Sequence, residues 1–255
     1  MKRVLTTAIL APLILAVVFM APAWLLFAVT AAVAVLCFRE YCGIAAGYGV
    51  DRLGPTGYAA GLLLMLLHEH AGLLITVFAL LALALSMRSG DLRRALPRPA
   101  ALLLGVVYIF GCWRFALLLR PISPHWLVFA LALNWIGDGC AYYAGRTLGR
   151  HKLAPAISPA KTWEGSLASV AGSVVFGVLY LGRVLPAVPM AYVVALSVAA
   201  NLAGQLGDLA ESALKRGAGL KDSGDLLPGH GGMLDRVDST LFALPVVYLF
   251  TLLPL

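Results

Sequence analysis

The chain has 255 residues, 61% of them hydrophobic and 12% charged, with a mean hydropathy of +0.91. A soluble globular domain carries about 45–50% apolar and about 25% charged residues, so a water-soluble enzyme, a disordered tail and a conventional nucleic-acid-binding domain are excluded. The net charge of +7 does not point to nucleic acid either, because the basic residues are scattered between apolar runs, as positive-inside charges facing anionic lipid would be.

A membrane-spanning helix needs about 20 mostly apolar residues. No residue between Arg3 and Arg39 is charged, which is too long for one helix, and Ala21-Pro22 offers a break. The first spans are therefore expected at residues 4–20 and 23–38. Met1-Lys2-Arg3 before an apolar run resembles a secretory leader, but apolar character returns many times, so the run reads as the first of many spans. Further spans are expected at residues 54–67 (a short one), 71–87, 100–119, 124–143, 163–182, 191–209 and 237–255.

This gives an all-α, polytopic integral membrane protein with about nine transmembrane helices. Its N-terminus is expected to be cytoplasmic and its C-terminus outside. Sixteen of the nineteen Lys and Arg then fall on one side, and Arg114, Arg120 and Arg183 on the other; moving one span destroys that asymmetry. Residues 1–255 form a single membrane domain, in which 1–120 have no assigned role. Cys37, Cys42, Cys112 and Cys140 lie in or beside apolar stretches without CxxC spacing, and read as packing residues.

Acidic residues near a bilayer usually have a task. Of the twelve, six fall between Asp208 and Asp238. Asp208, Glu211 and Ser212 end the eighth span at spacings that share a helix face, and Asp235 and Asp238 open the ninth, one turn apart. Oxygen-rich carboxylate pairs without Cys suit Mg²⁺ rather than zinc. Helix capping and salt bridges to Lys215 and Arg236 are the competing reading for either pair alone; two pairs on one side of the membrane favour the metal.

Between the pairs lies a glycine-rich stretch with Lys215, Arg216 and Lys221, charges matched to phosphate oxygens, although no P-loop is present. His230, in P-G-H-G-G, suits an acid–base group, a phosphate donor or a turn residue. A second cluster comprises Asp138, Arg146, Arg150, Lys152 and the run I-S-P-A-K-T-W-E-G at residues 157–165. Asp138 interrupts an apolar stretch, while Ser158-Pro159 with Glu164 also fits the start of a helix.

The run from Ser212 to Asp238, S-A-L-K-R-G-A-G-L-K-D-S-G-D-L-L-P-G-H-G-G-M-L-D-R-V-D, resembles the signature of the phosphatidate cytidylyltransferase (CDP-diacylglycerol synthase) family at every fixed position. Ser158–Gly165 also looks like a family element, and Arg39-Glu40-Tyr41 is a fainter similarity. The resemblance covers roughly the C-terminal half, making residues 121–255 the catalytic half.

It implies transfer of a cytidylyl group from CTP to phosphatidate, giving CDP-diacylglycerol and pyrophosphate, within a bacterial-type cytoplasmic (inner) membrane and with the active site facing the cytoplasm. Asp208, Asp235, Lys221 and His230 are then the expected catalytic residues. A dinuclear Mg²⁺ site is expected on Asp208 and Asp235, helped by Glu211 or Asp238. Substrate binding is expected at Asp138, Arg146, Ser158, Lys161, Glu164, Ser212, Lys215, Arg216, Asp222, Gly231, Gly232 and Arg236. The partners are CTP, phosphatidate and membrane lipids; a homodimer is compatible with the sequence, which carries nothing specific for it. A CTP-dependent lipid kinase is the rival enzyme, distinguished by releasing CDP. A secondary transporter is a weaker rival, because the charges gather at one face and no inverted repeat is visible.

Overall fold

The computed structural model describes residues 12–50, 53–87, 91–226 and 231–254. Residues 12–20 are helical (α1), followed by α2 (Ala23–Gly47), α3 (Gly54–Leu66) and α4 (Ala71–Ser86). Next, α5 (Pro97–Gly105) runs through a π-helical segment, Val106–Gly111, into α6 (Cys112–Ile122). The C-terminal half contains α7 (Pro124–Leu148), a hairpin of β1 (Lys152–Ala154) and β2 (Ser158–Thr162), then α8 (Trp163–Val184), α9 (Met190–Gly217) and α10 (Leu234–Leu252). Each expected span falls on a helix, except that residues 4–11 and 255 lie outside the described residues. Among the described residues, four helical stretches are long and apolar enough to cross a membrane: Ala23–Gly47, Leu92–Ile122, Trp163–Val184 and Met190–Gly217. Gly54–Leu66 and Ala71–Ser86 are shorter apolar helices. The chain is an α-helical, multi-pass membrane protein.

Local chemistry sets the helix ends. Ser123 caps α7, its Oγ accepting from the His125 N–H at 3.3 Å, with Pro124 at the first helical position. Thr162 caps α8, its Oγ1 accepting from the Gly165 N–H at 3.1 Å. Ser158-Pro159 therefore does not start a helix. These residues lie in β2, which pairs antiparallel with β1 through Lys152↔Thr162 and Ala154↔Ser158, with an irregularity between. Pro159 is tolerated there because neither strand has a further neighbour. A second departure from expectation lies in α2, which continues through Arg39-Glu40-Tyr41 for nine residues beyond Phe38, to Gly47. The Glu40 carboxylate finds buried partners inside the molecule, so the charge does not end the helix.

In the C-terminal half α7 packs along α8, α9 lies between α8 and α10, and α10 also touches α2, α6 and α7. Helices in lipid gain little from burying apolar surface and associate through close packing and polar contacts. Small residues allow that approach. A Cβ on Gly207 of α9 would lie 2.7 Å from the Asp238 carbonyl oxygen and 2.9 Å from the Phe242 ring of α10. The N-terminal half has a conventional apolar centre in which Phe38 meets Tyr58 and Phe110 at ring separations of 5.0 and 5.4 Å. The Tyr41 hydroxyl donates to the Ala101 carbonyl at 2.8 Å, joining α2 to α5. The halves meet where α6 packs on α7 and α10 and where α2 reaches α10 and α9; at the end of α2 the Tyr48 hydroxyl donates to the Leu214 carbonyl of α9 at 3.0 Å.

Gly207→Ala is expected to force α9 and α10 apart, at a cost of about 1–3 kcal/mol, and to lower the Tm of the detergent-purified protein. Gly43→Ala, on an open face of α2 with nothing within 4 Å of the added carbon, should leave Tm unchanged or raise it. Equal Tm changes in the two variants would contradict the packing described.

Candidate active site

Helix α9 carries the site. Asp208, Glu211 and Lys215 follow at intervals of three and four residues, so they rise along one side of the helix. Around them the chain builds two adjoining clusters.

The first is a pocket of about 380 Å³ between α7, the hairpin, α8 and α9. Asp138 and Arg146 from α7, Lys161 from β2, and Ser166, Gln205 and Asp208 are among its lining residues. The Lys161 ammonium lies 2.7 Å from Asp208 Oδ2, and the Arg146 guanidinium donates to the Tyr142 hydroxyl at 3.1 Å. Glu164, the second residue of α8, accepts from the His151 backbone N–H at 3.2 Å and lies 2.6 Å from His151 Nδ1. That pair latches the hairpin, and so Lys161, over the pocket. Ser158 shares the strand but does not line the pocket.

Below the pocket a ladder of polar side chains descends between the helices. The Ser166 hydroxyl donates to Gln205 Oε1 at 2.5 Å, and Gln205 Nε2 donates to Asn201 Oδ1 at 2.7 Å. Asn201 Nδ2 in turn donates to Ser169 and Ser173 at 3.0 and 2.8 Å. Gln205, Asn201, Ser166, Ser169 and Ser173 are absent from the sequence-derived site. Their only advance signal is polarity at three- and four-residue spacing within the two apolar spans, and such chains stabilise helix pairs in lipid.

The second cluster surrounds Lys215. Its ammonium sits between Glu211, 2.5 Å from Oε2, and Asp235 Oδ1, with which it forms a hydrogen-bonded ion pair. Asp235 Oδ2 accepts from the Ser223 N–H at 3.0 Å and the Gly232 N–H at 2.7 Å. The Ser223 hydroxyl lies 3.0 Å from Asp235 Oδ2 and 2.8 Å from Glu40 Oε2, with one proton to share between them. Gly231 has φ 75°, a conformation that favours glycine, as the chain turns into α10. Asp235 is thus committed to Lys215 and to the backbone of the glycine-rich segment. Glu211 is fully buried, and neither of its oxygens accepts a well-aligned hydrogen bond.

The other expected site residues are distributed around these clusters. Ser212 Oγ reaches Asp208 Oδ1 at 3.4 Å, and the Arg216 guanidinium donates to the Leu220 carbonyl at 3.1 Å. Lys221 and Asp222 are exposed on the segment that follows α9, Arg236 is exposed in the first turn of α10, and Gly232 is buried. Asp238 is buried, its Oδ1 accepting from the Ser239 N–H at 2.6 Å. His230 lies outside the described residues.

Close packing at Gly207 joins the two clusters, bringing Asp208 and Asp238 together. Asp138, Asp208 and Asp238 lie within electrostatic reach of one another. Five carboxylates (Asp138, Asp208, Glu211, Asp235 and Asp238) therefore gather around the ammonium groups of Lys161 and Lys215. Among the described residues Asp138 and Asp238 form no ion pair. An all-oxygen donor set with uncompensated charge suits a hard divalent cation. In the arrangement described, however, no three of these side chains among the described residues close around one point to hold an ion.

The Cytidylyltransferase family matches residues 1–253. The chain belongs to that family. Relatives named phosphatidate cytidylyltransferase include one from Staphylococcus aureus (strain COL), 36% identical over 196 residues, covering 74% of this chain and 75% of that protein. One from Bacillus subtilis (strain 168) is 40% identical over 149 residues, covering 57% of this chain and 55% of the relative. One from Brucella suis biovar 1 (strain 1330) is 46% identical over 132 residues, 51% of this chain and 48% of the relative. The chain thus aligns with about half the length of the last two.

Proposed function

We propose that this member of the cytidylyltransferase family transfers the cytidylyl group of CTP to phosphatidate, giving CDP-diacylglycerol and pyrophosphate. The observation that carries this reading is a pocket between apolar helices that brings Lys161 and Arg146 to Asp208 of α9, the same helix whose Lys215 pairs with Asp235 at the end of the glycine-rich segment. One substrate is a two-chain lipid and the other a soluble nucleotide, so the site must adjoin both lipid and water. The relatives' names support the same substrates.

In the reaction, a phosphate oxygen of phosphatidate forms a bond to the α-phosphorus of CTP. The bond from that phosphorus to the bridging oxygen of the β-phosphate breaks, and pyrophosphate leaves with the electron pair. No protein nucleophile is needed. The chain's contribution is positioning and charge neutralisation. Lys161 and Arg146 hold a phosphate in the pocket, Lys215 fixes the geometry of the glycine-rich segment, and the exposed Arg216, Lys221 and Arg236 attract the triphosphate.

Asp208, Asp238 and Asp138, with Glu211 and Asp235 behind them, are the residues that would hold Mg²⁺, after rearrangement of the present Lys161 and Lys215 ion pairs. A divalent cation there supplies neutralisation of phosphate oxygens. The proposed topology has nine spans, with the N-terminus and the active site on the cytoplasmic side of the inner membrane and the C-terminus outside. The charge asymmetry along the sequence supports it.

Purified protein given phosphatidate, Mg²⁺ and CTP labelled at the α-phosphate should move label into the lipid with matching pyrophosphate release. Asp208→Asn and Lys161→Met are each expected to lower kcat at least 100-fold, and chelation of divalent cations to stop turnover reversibly. Lipid phosphorylation with CDP release would make the chain a kinase; turnover that survives chelation would remove the metal from the scheme. For topology, single cysteines replacing Arg150 and Arg183 in a cysteine-free background should react with an impermeant maleimide from opposite sides of sealed vesicles. Labelling from one side would overturn the nine-span arrangement.

A further inference from the structure

We infer that Glu40, on α2 in the N-terminal half of the chain, is a positioning residue for the glycine-rich segment between α9 and α10. Glu40 is 9% exposed, and among the described residues the hydrogen bonds of its carboxylate go to that segment and to the first residue of α10. Oε1 accepts from the Met233 N–H at 2.8 Å, while Oε2 accepts from the Leu234 N–H at 2.7 Å and lies 2.8 Å from the Ser223 hydroxyl.

Met233 and Leu234 are the N-cap and first residue of α10, where amides have no acceptor within the helix. The N-cap side chain, a methionine, supplies none. The missing acceptor comes instead from a carboxylate 193 residues away, of the charge sign that a helix N-terminus favours.

The same carboxylate accounts for two glycines. A Cβ on Gly224 would lie 3.0 Å from Glu40 Oε1 and 3.1 Å from both Cδ and Cγ, the three nearest atoms. A Cβ on Gly232 would fall within the van der Waals radii of Ser223 Oγ and of Glu40 Oε2. Glu40 thus fills the space those side chains need, and the segment closes over it. From the opposite side Asp235 accepts from the Ser223 and Gly232 amides. The backbone that carries Lys221 and Asp222 is therefore held between two carboxylates, one local and one delivered by α2. Removing Glu40 leaves Asp235 to hold the segment alone.

This role rests on the reading of the segment as the nucleotide-binding part of the site, and two measurements separate them. Full-length protein in detergent is compared as wild type, Glu40→Gln, Glu40→Asp, Gly224→Ala and Glu40→Asp/Gly224→Ala, recording Tm and the KM for each substrate. Glu40→Gln, which turns an N–H donor onto the segment's own donors, is expected to raise the KM for CTP about tenfold, with the KM for phosphatidate within twofold of wild type and Tm within about 3 °C. Gly224→Ala should raise the KM for CTP similarly. In the double variant the shorter acid makes room for the methyl group, so it should be no worse than Glu40→Asp alone.

Multiplying effects in the double variant would overturn the proposal, because Glu40 and Gly224 would then not compete for one space. A lowered Tm with both KM values unchanged would also overturn it, leaving Glu40 a contact of the fold alone. Non-additive effects that fall on the KM for phosphatidate would keep the positioning role and overturn the assignment of the segment to nucleotide. Should Glu40→Gln fail to accumulate as folded protein, Ser223→Ala removes one of its partners and must raise the KM for CTP in the same direction; an unchanged KM counts against the role.

Discussion

The ammonium group of Lys215, held between a fully buried Glu211 and Asp235, is the contact on which the rest of the site depends. It joins the end of α9 to the start of α10 and fixes the ends of the glycine-rich segment between them. A buried pair of this kind contributes little net stability against an apolar replacement, but removing one partner costs about 3–5 kcal/mol, because the other charge is left behind. Its effect is therefore on specificity of arrangement. Lys161 repeats the device two turns earlier on α9, reaching from β2 to Asp208 and closing the hairpin on the pocket.

Helices in a bilayer are free to rotate and slide unless something other than apolar burial selects one arrangement. Here two devices do so. Glycine contacts such as Gly207 against Asp238 and Phe242 allow backbone approach, and the Ser166–Gln205–Asn201 ladder supplies hydrogen bonds that lipid cannot. Both lie directly beneath the charged residues, so the packing that holds the bundle also sets the distances between carboxylates. The N-terminal half adds a third element. Helix α2 leaves its apolar centre around Phe38 and delivers Glu40 to the far end of the site two residues later.

Much of this was legible in the sequence. The long uncharged runs fall on apolar helices, and the concentration of acids between Asp208 and Asp238 identified the polar end of the bundle. Asp208, Glu211 and Lys215 share one side of α9, as their spacing implies. What escaped depended on distance along the chain. Glu40 stands as a lone acid after a long apolar run, and its partners lie more than 180 residues away. The hairpin escaped because Ser158-Pro159 and Glu164 look like a capping motif, whereas Thr162 takes the cap and Glu164 turns back to His151. Asp235, read as a leading metal ligand, has one oxygen on Lys215 and the other on backbone amides, a commitment that spacing alone does not reveal.

Five carboxylates around two ammonium groups leave a negative excess that must be met by cations brought from solution or by protons. We propose that a divalent cation meets this excess. A ligand that binds only the folded state raises its stability, by about 2.7 kcal/mol at a hundredfold excess over Kd. The most direct measurement is the Tm of the purified protein, without nucleotide or lipid, titrated with MgCl₂ at constant ionic strength. A saturable rise that is absent in Asp208→Asn and in Asp238→Asn is the predicted result. A Tm that ignores Mg²⁺, or rises equally in all three proteins, would contradict it.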